Sequence, residues 1–285
     1  MAMGTRAMRD GFRRWLISTT ALTSMLLLSE VARAQFVGPA TVTSTQTINN
    51  NATVDSTAGS FIAHTTGNGQ IGFQILGGAS FTVFPSTFGT SIITEGANAP
   101  AIAVQSAIHN LFLQNLSITT SGAGSDGIIL QQQGDNITAA NVSVRTTGPN
   151  ASALAMTAGG GGQASRENFT DSTLASTLGP VIRVSGGGSN KFINLTRSSV
   201  TAAPDGQWLN AAGGGNVTIT ATDATTLTGA AVTVGSINTD LTLSNSTTVW
   251  NVTGTSKSPI SQLAPALSIS RHQLAIQCSW AVTKR

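Results

Sequence analysis

Asp135 and Glu167 are the two residues of this chain whose type and spacing come nearest to a chemical site. Each stands one residue from a recurring Asn-plus-apolar step, so in a stacked fold they fall one rung apart. Two carboxylates at that separation are the beginning of an oxygen-donor calcium site. Isolated acids in polar turns are more commonly solvated, and that is the expectation taken here. The other acids of the central region (Asp126, Asp171, Asp205, Asp223 and Asp240) are scattered. A polysaccharide-cleaving, pectate-lyase-like centre would need them clustered around calcium with a base beside the substrate. Asp171 falls over Arg197 in the repeat, which predicts a surface ion pair of small value. Gly122-x-Gly124-x-Asp126-x-Ile128 spells part of a calcium-binding nonapeptide, but once, whereas that motif works in tandem. Gly67-x-Gly69-x-x-Gly72 has the spelling of a dinucleotide fingerprint without a following helix to face a phosphate, so it reads as a turn. After Gln35 the histidines are His64, His109 and His272, and no Gly-x-Ser-x-Gly is present. His109 reads as a turn residue rather than a base. No catalytic constellation, metal site or cofactor is expected, and the chain is read as a non-enzyme.

What positions these residues is a repeat. Asn110-Leu111, Asn136-Ile137, Asn168-Phe169, Asn194-Leu195, Asn216-Val217 and Asp240-Leu241 recur at steps of 26, 32, 26, 22 and 24 residues. Self-similarity at this period marks a solenoid, in which each turn buries its apolar face only against the next. The clearest internal match sets 102–118 on 128–144, with Asn115-Leu116-Ser117-Ile118 over Asn141-Val142-Ser143-Val144. Apolar and Thr/Ser/Asn positions alternate, which is a half-buried strand. Coils of this length suit three short strands and three turns, and parallel crossovers favour the right hand. The expectation is an all-β, right-handed parallel β-helix preceded by a helical signal peptide. Asn110, Asn136, Asn168, Asn194, Asn216 and Asp240 are expected to form a structural ladder, because Asn tolerates left-handed backbone at turns and stacked amides pass hydrogen bonds along a rod. The many Asn-x-Ser/Thr triplets follow from that pattern without invoking glycosylation.

Residues 1–34 carry five Arg against Asp10 and Glu30, an apolar run from Trp15 to Leu28, and Ala32-Arg33-Ala34 before Gln35. Basic head, apolar middle and Ala-x-Ala describe a cleavable export signal. From Gln35 onward nine Lys/Arg balance nine Asp/Glu, so a nucleic-acid partner is excluded by charge. Residues 35–100 hold short strand candidates without the 26-residue register and are expected to be an N-terminal cap and irregular first coils. Residues 101–256 are the regular coils.

The segment Trp250-Asn251-Val252-Thr253-Gly254-Thr255-Ser256 resembles the Trp-x-aliphatic-Thr-Gly-x-Ser element of pertactin-like autotransporter passengers, with matches at Trp250, Val252, Thr253, Gly254 and Ser256. That resemblance implies a cell-surface adhesin or virulence-associated binding protein that meets a host-cell or matrix ligand, or associates with itself through its strand edges. It also implies a C-terminal outer-membrane barrel as the only membrane contact. Residues 257–285 carry no barrel pattern of long strands with aromatic girdles. Their sudden Arg271, His272, Cys278 and Lys284 mark a non-repeat tail, read as a truncated or frame-shifted remnant, with the periplasm as the alternative destination.

Overall fold

Alternation of period two over runs of three to six residues, broken by Gly and Asn, leaves this chain one way to bury its apolar side chains: strand upon strand. The computed structural model describes residues 34–84, 87–106, 109–157, 162–235, 237–254 and 256. Residues 1–33 of the expected signal peptide and the non-repeat tail lie outside the described residues, and Ala34 opens the first strand. Among those residues every regular element is a β-strand, 24 in all, and all pairings are parallel.

The chain winds through three faces. The first begins at Ala34–Val37 and passes through Phe81–Val83, Ser165–Thr170 and Lys191–Thr196 to Asn238–Leu243. The second runs from Ala40–Val42 to Val249–Asn251, and the third stacks eight strands from Gln46–Ile48 to Ala230–Gly235. Asn110–Thr120 and Asn136–Thr146 are single long strands that serve the first two faces and bend between them. The stretch expected to be a cap and irregular coils follows the same plan: Phe36, Val54 and Val83 stack on the first face, and Phe73 stacks on Ile102 on the third. Phe36, Phe61, Phe73 and Phe81 fill this end, with ring centroids 4.8–6.1 Å apart.

The register differs from the one drawn through the asparagines. Asn110 stacks on Asn136, whose Nδ2 donates a hydrogen bond to the Asn110 Oδ1 at 3.3 Å. Asn136 then stacks on Arg166, and Asn168 lies over Thr138. The column continues through Phe192 and Thr218 to Asp240. Asn168 and Asn194 form a separate pair at 2.8 Å, while Asn216 belongs to a third set with Asn190 and Asn238, each bond 3.1 Å. One supposed ladder is therefore three short ones, displaced by two residues. A two-residue slip keeps every side chain on its own face, so alternation cannot detect it.

Those asparagines also lie on extended strands. The left-handed corner is the column Asn115, Asn141, Asp171, Arg197, Asp223 and Asn245, with φ between 49° and 66°. It turns the chain from the first face to the second in successive coils. Asn141 donates to Asn115 at 2.7 Å, Arg197 grips Asp171 at 2.7 and 2.9 Å, and Asn245 donates to Asp223 at 2.8 Å. The mechanism expected of the ladder operates here, five residues further along the strand. Between the second and third faces, Gly67, Gly96, Gly122 and Gly148 stack so closely that a Cβ on any upper member would strike the carbonyl oxygen of the glycine below.

Candidate functional site

Buried hydroxyls such as Thr120, Ser172 and Thr225 line the other corners, but at the corner where the third face turns into the first the buried polar groups include two acids, a lysine and a histidine. Strand parity puts Phe169 inside, and the residue two positions earlier must then face inside too, which is Glu167. Glu167 sits between Ile137 and Ile193 in its column. Lys191 points inward from the next coil, stacked on Ser165, and His109 and Asp135 lie on the coils below. His109, Asp135, Glu167 and Lys191 are each at most 1% exposed. The expectation that Asp135 and Glu167 are solvated turn acids is thus overturned. They are not stacked directly either, because Asn136 pairs with Arg166 and so sets Asp135 over Ser165.

Burial and then the charge of Asp135 push the Glu167 carboxyl well above the ordinary carboxylate range, with Lys191 opposing. Neither Glu167 oxygen has a hydrogen-bond partner among the described residues. Burial lowers Lys191, with Glu167 opposing; its Nζ reaches only the Ser189 carbonyl at 3.3 Å and the Ser189 Oγ at 3.4 Å.

Asp135 is engaged on its other side. Its Oδ1 accepts the backbone N–H of His109 and the imidazole Nδ1–H, both at 3.1 Å. Gly78 donates its N–H to His109 Nε2 at 3.0 Å, which assigns the ring proton to Nδ1. Ser106 Oγ lies 3.3 Å from the same Nε2 and accepts the Gly77 N–H at 2.6 Å. Ser106, His109 and Asp135 therefore have the connectivity of a nucleophilic triad. The two backbone donors that could serve an oxyanion are already spent on the serine and the imidazole. In this arrangement the set braces three successive coils. The signal for it was in the sequence, since the offset of 26 that places Asn110 on Asn136 also places His109 on Asp135.

Asp126, offered to calcium by the partial nonapeptide, is buried. Its Oδ2 meets Arg183 at 2.7 Å and its Oδ1 accepts the Ser152 N–H at 2.7 Å. Burial raises its carboxyl against both partners. His64 sits on the surface, 3.1 Å from Glu95. The Asp171–Arg197 pair is exposed as expected, and its hydrogen bonds hold the Asp171 carboxyl below the usual range. Among the described residues no three His, Cys, Asp or Glu side chains group around a metal-sized site.

Trp250 and its neighbours pack on the coil before them. The Trp250 indole donates to the Gly229 carbonyl at 2.9 Å and meets Trp208 edge-on at 6.0 Å. Val252 packs on the core, and the Ala231 N–H donates to Ser256 Oγ at 3.2 Å. Gly254 passes above Ala230, Thr253 is half-buried, and Thr255 lies outside the described residues. Trp208 is interior as expected, but as the extra residue of a bulge, with Leu209 in line with Ile182.

Outside, one column on each of the first two faces is made mostly of uncharged polar groups, beside columns that carry Arg166 and Arg145. Thr82, Phe112, Thr138, Asn168, Asn194 and Thr220 run up the first face, and Ser91, Ser117, Ser143, Thr173, Ser199 and Thr226 up the second. Compared with family models, curated proteins and solved structures, the chain matches none.

Proposed function

We propose that this chain is an exported, surface-displayed passenger of the autotransporter type, which acts by binding a host-cell or matrix ligand rather than by turnover. The observation that carries this reading is the outer surface: two adjoining faces of the stack present hydroxyls and amides at a repeat of about 4.8 Å, the strand spacing. Phe84 and Phe112 stand exposed on the first of them. Such a surface offers many weak, neutral contacts along a line, which suits adhesion to an extended partner. The packing of the Trp250 segment on the Trp208 coil supports the family resemblance. Asp135 and Glu167, on which a pectate-lyase-like reaction would depend, face the interior, where no polysaccharide reaches them.

The test is saturable binding of the purified chain to cultured epithelial cells and to a basement-membrane extract, without degradation of either. Thr138→Arg and Asn194→Arg, which add cations to the first face, should weaken it. Binding that never saturates, or that ignores both substitutions, refutes the reading. A second reading is favoured by Ser106, His109 and Asp135: a serine hydrolase whose Gly77–Gly78 turn moves aside to free the donors. Labelling by a fluorophosphonate that disappears in Ser106→Ala would establish it, and its absence in the native chain would remove it.

A further inference from the structure

Two groups of this molecule are buried side by side with no adequate hydrogen-bond partner among the described residues. Glu167 and Lys191 point inward from adjacent strands, Ser165–Thr170 and Lys191–Thr196, which pair with Ser165 opposite Lys191 and Glu167 opposite Ile193. They are therefore diagonal neighbours, with Cα atoms about 7–8 Å apart, a gap that a four-carbon and a two-carbon side chain span together. Among the described residues neither carboxyl oxygen of Glu167 has a hydrogen-bond partner. They form no ion pair in the structure, although an ion pair is the ordinary outcome for a buried acid and base.

We propose that Lys191 and Glu167 condense to an intramolecular isopeptide bond that joins these two coils covalently. The Lys191 Nζ lone pair attacks Glu167 Cδ and forms the C–N bond. The C–OH bond of the acid breaks, and its hydroxyl leaves with one proton from the amine as water. No oxidant, reductant or co-reactant enters. The reactants must be a neutral amine and a neutral acid, since an ammonium has no lone pair and a carboxylate loses no hydroxide. The site favours both forms: burial disfavours either charge, and the neighbouring Asp135 carboxylate disfavours a second anion. Asp135 is held in place for this by its two bonds from His109. The product replaces two stranded polar groups with one amide and returns water to bulk. It also staples a rod whose one cysteine, Cys278, can form no internal disulfide.

Trypsin reads the result directly. With free side chains it cuts after Arg166, Arg183, Lys191 and Arg197. An acylated lysine is not cut. The purified full-length chain should therefore yield a single branched species, 167–183 joined to 184–197, one water lighter than its parts. Lys191→Met and Glu167→Ala should each restore linear peptides. Glu167→Gln, close in shape to the acid, should still cross-link with loss of ammonia in place of water, which guards against a variant that simply fails to fold. Cleavage after Lys191 in the native protein, with 184–191 recovered at full mass, overturns the proposal.

Discussion

The two-residue displacement of the Asn ladder can be read with engineered cysteines. In a Cys278→Ala background, Thr138→Cys with Asn168→Cys places thiols on residues that stack directly on the outer surface. Their Cα separation is one strand spacing, about 4.8 Å, inside the range a disulfide tolerates. Asn136→Cys with Asn168→Cys follows the register that the asparagines spell. In the structure these residues are one strand apart and two residues along, which at about 3.3 Å per residue gives a separation near 8 Å, too far to bridge. The first pair should oxidise quantitatively in air, seen as loss of titratable thiol and faster migration in a non-reducing gel. The second should keep both thiols. The bridge closes a 30-residue loop, so chain-entropy reasoning puts its stabilisation at up to about 3.6 kcal/mol by urea denaturation. Efficient oxidation of the second pair and not the first would refute the register and every column described above.

Further expectations concern the interior and the corners. With its carboxyl free, as in a Lys191→Met chain, Glu167 should make the fold prefer low pH. Because its folded carboxyl titrates above the unfolded value of 4.5, the folded chain holds a proton the unfolded chain releases; stability is full below that value and declines as pH rises through the folded one. In a Lys191→Met background, where no amide can form, Glu167→Gln should flatten that decline, and parallel pH profiles of urea midpoints would contradict it. Gly122→Ala should cost about 1–3 kcal/mol or prevent folding, since its methyl would strike the rigid Gly96 carbonyl. Gly187→Ala, whose methyl would find its nearest neighbour at an ordinary 3.5 Å, should be mild, and equal thermal midpoints would count against the close glycine stack. Trp250→Ala should cost about 3–5 kcal/mol. Trp250→Phe should cost less, chiefly the bond to Gly229, as denaturation followed by tryptophan fluorescence would show.

Much of this protein is written in one dimension. Ile137, Val142 and Val144 alternate with polar residues and all prove to be interior, and the spacing of the copies requires a stack. The same alternation marks Glu167 as inward through Phe169, although a charged side chain invites a turn reading. Sequence alone also placed Asp171 over Arg197, 26 residues apart, because no insertion separates them. What it left open was which rung meets which. Between Ile137 and its partner Glu167 the chain needs 30 residues, not the 32 that matching asparagines suggested. Turns absorb the difference, and a shift of two leaves each face intact, so local pattern carries no penalty for the wrong choice. Only packing across coils distinguishes the alternatives, through the left-handed corner at Asn115 and Asn141, the glycine stack at Gly96 and Gly122, and the fit of side chains inside. That packing alone brought Glu167 to Lys191, because their closeness depends on the count of residues in each turn, whereas the offset of 26 already set His109 over Asp135.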